Sequence, residues 1–449
     1  MRDEVTKPAI HVLGAGLAGG EAVWQIAQAG LDSILHEMRP LVPTPAHETA
    51  GFAELVCSNS LKSDAEGSAP WLLKEELRRL GSLLMDVASR TRVPGGNALT
   101  VDREAFSAEV TRALESHPRI TVERGEVTRI PEDALVVVAT GPLTSDALAE
   151  DIMRRTGSAR LAFFDAISPI VSAYSVDLSI AFAASRYDKS LDGAASADYL
   201  NCPFTRDEYE TFIDALLSAE PAVAHIQEDL QARFFEGCLP IEELARRGRD
   251  TLRFGPLKPV GLTDPRTGRW PYAAVQLRRE DARGGSYNLV GFQNYMTFPE
   301  QRRVLRLIPG LQNAEFTRLG QIHRNTYINA PALLEPTLQL KSEPRILFAG
   351  QISGVEGYIE AIATGLLAGR AAVRLARGEE PRIPPRETAL GSLVHYLTHA
   401  DPKHYQPANI AFDLLPEPDE EMRKKFRRDK RARHAETCRR ALEALPAYE

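Results

Sequence analysis

The chain is 449 residues long, 43% hydrophobic and 26% charged, with a formal net charge of −7. That is the balance of an ordinary globular protein, and the acidic total excludes a global field that attracts polyanions, so any nucleic-acid partner has to be held by local basic patches. Residues 1–8 are charged and lack an apolar signal core, and no long uncharged apolar run follows. The expectation is therefore a cytoplasmic protein that is neither secreted nor membrane-spanning. Cys57, Cys202, Cys238 and Cys438 lie far apart with no Cys-x-x-Cys pair, which argues against a metal site or a disulfide framework and for a reducing compartment.

The first element is Ala9-Ile10-His11-Val12-Leu13-Gly14-Ala15-Gly16-Leu17-Ala18-Gly19-Gly20. An apolar run ends in Gly-x-Gly-x-x-Gly and continues with helix-compatible spacing, the strand–turn–helix order of a dinucleotide fold. Gly14 permits the tight turn, Gly16 lets backbone approach a pyrophosphate, and Gly19 lets helix pack on strand. The helix N-terminus then offers N–H groups and partial positive charge to the phosphates. A second strand, Ser33-Ile34-Leu35-His36, runs into Glu37, close to the spacing of about 20 residues expected of a ribose-binding acid. An acid there accepts from a ribose diol and repels a 2′-phosphate, so FAD or NAD is expected at this site and NADP is not. Length suggests about three domains; folds of this kind often run long, and two are expected.

A proline-bearing connection over residues 40–45 leads to Gly51-Phe52-Ala53-Glu54-Leu55-Val56-Cys57, then Ser58-Asn59-Ser60, which is turn chemistry. Lys62 would lower the Cys57 pKa if it stood beside the thiol, but the local residues favour a buried, inert cysteine. Residues 71–84 read as an amphipathic helix and 92–97 as a turn. A helix follows through Phe106, Val110 and Leu114, and strands are expected at 119–123 and 135–139. The second of these strands ends at Gly141, where ligands meet an open α/β sheet.

From about residue 161 to 319 aromatic residues and hairpin signals increase. Residues 258–262 and 270–277 flank a turn-rich 263–268, and 287–292 supply a third strand. Thr205-Arg206-Asp207-Glu208 and Thr297-Phe298-Pro299-Glu300 have capping-box spacing. An antiparallel α+β insertion is expected here. Within it, Phe235-Glu236-Gly237-Cys238-Leu239-Pro240 precedes a helical run over 241–247. Pro240 fits the first helical position, which puts Cys238 at or just before a helix N-terminus, a setting that lowers a thiol pKa. Glu236, Glu242 and Glu243 oppose that unless Arg246, Arg247 or Arg249 turns inward. A reactive and a packed Cys238 both remain open.

The chain then returns to the first domain through a strand at 345–349, Gly350-Gln351-Ile352-Ser353-Gly354-Val355-Glu356-Gly357 and a helix over 358–375. Its close glycines favour backbone approach to a ligand. The tail Arg423-Lys424-Lys425-Phe426-Arg427-Arg428-Asp429-Lys430-Arg431-Ala432-Arg433 is either a solvated helix face or a phosphate-tracking surface for RNA.

With the glycine fingerprint, the blocks Leu55-Val56-Cys57-Ser58-Asn59-Ser60-Leu61-Lys62-Ser63-Asp64, Phe235-Glu236-Gly237-Cys238-Leu239-Pro240-Ile241-Glu242, Gly255-Pro256-Leu257-Lys258-Pro259-Val260-Gly261-Leu262 and Gly350-Gln351-Ile352-Ser353-Gly354-Val355-Glu356-Gly357-Tyr358 resemble the folate- and FAD-dependent tRNA (uracil-5-)-methyltransferases, the TrmFO family. The resemblance spans nearly the whole chain. It implies an α/β fold with a Rossmann-like FAD-binding domain (1–160 and 326–449) and an inserted α+β domain containing antiparallel sheet (161–325). It also implies bound FAD, 5,10-methylenetetrahydrofolate, NADH or NADPH, and tRNA as partner, without membrane or DNA.

The product implied is the 5-methyluridine of the tRNA T-loop. In such a reaction reduced flavin carries the one-carbon unit and supplies a hydride. A thiolate adding to uracil C6 makes C5 nucleophilic, and a base removes the C5 proton. Cys238 is the candidate for the C6 nucleophile and Cys57 for a flavin-side role, with the assignments exchangeable. The cofactor-binding candidates are Gly14, Ala15, Gly16, Leu17, Ala18, Gly19, Glu37, Gly141, Gly350, Gln351, Gly354 and Gly357. The alternatives weighed are the same chemistry on ribosomal RNA, a uridine modification like that of the related carboxymethylaminomethyl enzymes, and a flavin-bearing RNA-binding protein without catalysis.

Overall fold

The structure, a computed structural model, describes residues 9–157, 161–188, 199–222, 239–417, 419–426 and 429–448. One six-stranded sheet runs in the order Gln339–Leu340, Glu343–Phe348, Val136–Val138, Ile10–Leu13, Ser33–Glu37, Ile120–Arg124. Every pair is parallel except the edge pair Gln339–Leu340 with Glu343–Phe348. Val136, Val137 and Val138 are fully buried, as befits an apolar run covered on both faces. The chain leaves Ile10–Leu13 to one side for Ser33–Glu37, and Val136–Val138 later pairs on the other side. The crevice at the carboxyl ends of the first strand and Val136–Val138 is thus the topological switch point, the place where open α/β sheets bind ligands.

Helix Leu17–Gln28 packs on helix Tyr358–Ala376 through small residues. A Cβ on Gly365 would stand 2.3 Å from the Ala18 carbonyl oxygen, and one on Gly369 2.6 Å from that of Ala22. Backbones that approach this closely tie the returning chain to the first helix.

A second six-stranded sheet, antiparallel throughout, runs Phe182–Ala183, Tyr199–Phe204, Ala273–Arg279, Ser286–Leu289, Ile170–Ser172, Phe316–Arg318. Its core includes Phe204, Tyr209, Phe212 and Phe292. The chain enters and leaves this part through one antiparallel ribbon, Leu161–Ala166 with Ile322–Tyr327. Polar contacts join this sheet to residues 58–103 of the first part of the chain. Arg278 donates to Asn59 Oδ1 at 3.0 Å and Ser58 Oγ at 2.7 Å, and Arg103 pairs with Glu280 at 2.7 Å.

Several local expectations change. The helix expected over 71–84 is two, Ala69–Arg79 and Leu83–Arg90, broken at Gly81 with φ +75° and restarted by the Ser82 side chain. Thr205 forms its capping box, whereas Thr297 makes no side-chain cap, because Glu300 accepts from Arg303 and the Glu220 N–H. Residues 258–262 are not a strand: Gly261 has φ +82°, and the Val260 carbonyl accepts from Arg186. Ser60, read as turn chemistry, opens strand Ser60–Ser63, which pairs with Ala98–Val101. Among the described residues no helix is long and apolar enough to cross a membrane.

Candidate functional site

At the end of the first strand Gly14 turns with φ +95°, and a Cβ there would stand 2.7 Å from the Ala139 carbonyl oxygen. A Cβ on Gly19 would lie 1.7 Å from the Gly14 oxygen, so the helix crosses the strand on bare backbone. Gly16 is different: a Cβ there meets nothing within 4 Å. It caps helix Leu17–Gln28, whose first turn holds no acidic residue. The exposed N–H groups and the positive end of the helix therefore face open space, an anion site.

That space is a concave cleft, the setting in which small-molecule sites are found. Gly14, Gly16, Leu17, Ala18, Glu37, Gly141, Gly350 and Gln351 line it. Four other sequence candidates do not. Ala15 is fully buried, with its N–H on Glu37 at 3.1 Å, and Gly19 packs on Gly14. Gly354 has φ +88° and lies against the Tyr405 hydroxyl. Gly357 has φ +109° and lies against Glu360 and Lys62.

Glu37 is part of a buried charge cluster. Its Oε1 accepts from the Arg39 N–H at 3.0 Å and Nε at 2.9 Å, and Arg39 also donates to Glu54 at 3.1 Å. Burial alone raises the Glu37 carboxyl, but Arg39 and the backbone N–H groups outweigh it and hold the group below the ordinary glutamate value. It is an ionised acceptor at neutral pH. Burial and the nearby Arg39 push His47, which also lines the cleft, down to about 4, so its imidazole is neutral. Arg39, His47 and Glu54 were missed in the sequence; the one available signal was an arginine two residues beyond the acid.

At the other end of the cleft stands Tyr358, the first residue of helix Tyr358–Ala376. Its hydroxyl accepts from the Cys57 and Ser58 N–H groups at 3.0 and 3.2 Å and lies 3.0 Å from Cys57 Sγ. Burial and Cys57 hold the phenol well above the ordinary tyrosine value, so the hydroxyl keeps its proton and can donate it to sulfur. Arg103 donates to the Leu55 and Val56 carbonyls at 2.6 and 3.2 Å. Burial works against its charge, but Glu280, Tyr358 and Cys57 more than restore it. Arg103 is thus a cation that acts on Cys57, while Lys62, considered from the sequence, pairs with Glu360 at 2.6 Å.

The remaining cysteines differ. Cys202 and Cys438 are buried and unbridged, and burial pushes both thiols up to about 12; they are packing residues. Cys238 lies outside the described residues, as do Arg427 and Arg428 of the tail. Pro240 stands at the cap of the short helix Ile241–Arg246 and not at its first position. Arg246 contacts Glu243 and Tyr295, and Arg249 pairs with Glu210 at 2.6 Å and Asp214 at 2.7 Å. In the tail, the basic stretch falls on two helices, Glu420–Lys425 and Lys430–Ala444. Among the described residues no His, Cys, Asp and Glu cluster could hold a metal ion.

The family model for glucose inhibited division protein A matches residues 9–380. A methylenetetrahydrofolate–tRNA-(uracil-5-)-methyltransferase TrmFO of Solibacter usitatus is 66% identical over 444 residues, covering 99% of each chain. The protein of the same name from Koribacter versatilis is 62% identical, covering 98% of this chain and 97% of its own. In fold, the chain is similar to Aquifex aeolicus GidA, with TM-score 0.68 at 18% identity over 98% of this chain and 77% of that one. The chain belongs to the glucose inhibited division protein A family and, within it, to the TrmFO group.

Proposed function

We propose that this protein transfers the one-carbon unit of 5,10-methylenetetrahydrofolate to C5 of the T-loop uridine of tRNA, with bound FAD and with NADH or NADPH as electron source. The activity in the names of relatives that match 99% of the chain supports this reading. The observation that carries it is the Cys57 thiol, 3.0 Å from the hydroxyl of a tyrosine in the wall of a dinucleotide cleft. Two of the four cysteines are buried for packing, and this one is not.

The cleft fits FAD. The open position at Gly16 and the uncompensated helix N-terminus suit a pyrophosphate, and the ionised Glu37 suits a ribose diol while repelling a 2′-phosphate. Gly141, Gly350 and Gln351 border the remainder. When bound and reduced, FAD supplies a carrier for the one-carbon unit and a hydride.

The protein residues do the rest. Arg39 and Glu54 fix Glu37 toward the ribose. The Cys238 thiolate adds to C6 of the target uracil, so that C5 becomes nucleophilic, and leaves after the C5 proton is removed. Cys57, oriented by Tyr358 and with Arg103 nearby, accepts that proton. A base in folded RNA has to be extruded for this chemistry, and a cytoplasmic setting suits both a tRNA substrate and unbridged thiols.

The test uses the FAD-loaded full chain with methylene-labelled methylenetetrahydrofolate, NADPH, and either an unmodified tRNA transcript or ribosomal RNA fragments. Label in 5-methyluridine of the tRNA T-loop is expected. Label only in ribosomal RNA, or in neither, contradicts the reading. With 5-fluorouridine tRNA, Cys57→Ser should still form a covalent RNA adduct and Cys238→Ser should not; the reverse pattern exchanges the two roles.

A further inference from the structure

We propose that the loop spanning residues 253–272 of the antiparallel half is a docking surface for the RNA substrate. Phe254 and Trp270 serve as stacking platforms for unpaired bases, and Lys258 and Arg269 as phosphate contacts. The proposal rests on the RNA-modifying function above and names the part of the protein that would hold the RNA.

Phe254 is 81% exposed and Trp270 56%. Neither is the exposed end of a loose segment. Leu252, Leu257 and Leu262, interleaved with them, are fully buried, and the Ala274 N–H closes on the Leu257 carbonyl at 3.1 Å. The Arg253 guanidinium lies 3.6 Å from the Tyr272 ring centroid and donates to the Tyr272 carbonyl at 3.0 Å. This contact pins both ends of the loop, with Phe254 one residue beyond it and Trp270 two residues before it. The loop therefore has its own apolar anchors and presents two large aromatic rings to water in addition. Such rings are the usual platform for unpaired bases, since every base has a stacking face.

Charge points the same way. In a chain of net charge −7 the loop carries Arg253, Lys258, Arg266 and Arg269 against the single acid Asp264. Asp264 is taken by Arg266 at 2.8 Å and Arg253 is shared with Asp250 at 2.8 Å. Lys258 and Arg269 are exposed and have no ion-pair partner among the described residues, while nearby Arg249 and Arg303 are held by acids. Uncommitted cations beside bare aromatic rings complement an RNA, whose backbone is anionic and whose loop bases are unstacked. A second copy of this chain would bring carboxylates to the cations but no unstacked bases to the rings. Helix Thr251–Phe254, which opens the loop, packs on the short helix Ile241–Arg246.

The test measures binding of an unmodified tRNA transcript to FAD-loaded full-length protein across a KCl series. It compares wild type, F254A/W270A and K258Q/R269Q, with flavin absorbance, melting and sedimentation as parallel readouts. F254A/W270A should weaken binding about 10-fold or more at an unchanged salt slope. K258Q/R269Q should flatten the slope of log affinity against log salt by about 1 to 2. Both variants should keep wild-type flavin content and melting. Wild-type affinity and slope in both variants overturn the proposal, as does a dimer that F254A/W270A splits with RNA affinity intact. A wild-type protein that binds no tRNA removes the underlying functional reading instead, and the wild-type arm reports that separately.

Discussion

The cleft of the parallel sheet and the exposed loop of the antiparallel half treat polar and apolar groups in opposite ways. Around the cleft of the parallel sheet, Glu37, Arg39 and Glu54 are almost wholly buried and satisfy one another, and glycines bring backbone against backbone. On the antiparallel half, Phe254 and Trp270 stand in water beside cations without acids. A closed polar network loses heavily when one member is removed, because the others are left buried and unpaired. An open face loses only the contact itself. The first arrangement suits a small ligand retained through many turnovers, and the second a large one that has to leave.

The sharpest way to break the comparison is at the glycines. Gly19→Val would place its Cβ against the Gly14 carbonyl, 1.7 Å away, with no flexible side chain to yield. The expected result is loss of folded protein in expression and circular dichroism, a cost above about 3 kcal/mol. Gly268 has φ +66° but open space around it, so Gly268→Ala should cost only about 1 kcal/mol in a denaturant melt. Comparable losses at the two positions would remove the contrast.

The cysteines come next. Cys57→Ser should keep flavin and slow methyl transfer by about 10²- to 10⁴-fold. Cys202→Ser should leave transfer per folded molecule intact while costing about 1–3 kcal/mol for a hydroxyl in an apolar site. Single-turnover assays and melts on both variants separate the roles; an unimpaired Cys57→Ser would refute a function for that thiol.

The most gradual effect is a pH dependence. His47 has an ordinary value of 6.5 and is held at about 4 in the fold. As pH falls from 6.5 toward 4, the unfolded chain binds a proton that the folded chain refuses. Stability present above 6.5 is therefore lost across that window, by at most about 3 kcal/mol. Flavin-free His47→Gln should melt with a flatter acid limb between pH 7 and 4.5, and an unchanged limb would assign the loss elsewhere.

What the sequence made legible was local. The glycine fingerprint, the valine run of the central strand and Glu37 each announce themselves within a few residues, because strand period and turn chemistry are short-range. Arg39, Glu54, Arg103 and Tyr358 were not legible as site residues. Tyr358 reaches Cys57 across 301 residues, a meeting that only the sheet order creates. The misread pieces follow the same logic. Pro259 and Gly261 took residues 258–262 out of the ladder, and Glu300 is engaged by neighbouring Arg303 and by the distant Glu220 N–H.

The proposed chemistry requires that the cleft at residues 14–19 be a flavin cradle. The most direct measurement is FAD occupancy of purified Gly16→Val against wild type, by visible absorbance per chain together with a thermal melt. A Cβ at Gly16 meets no protein atom within 4 Å, so the variant should fold, melt within a few degrees of flavin-free wild type and be colourless beside a yellow wild type. A Gly16→Val protein that purifies with full flavin occupancy would contradict the assignment.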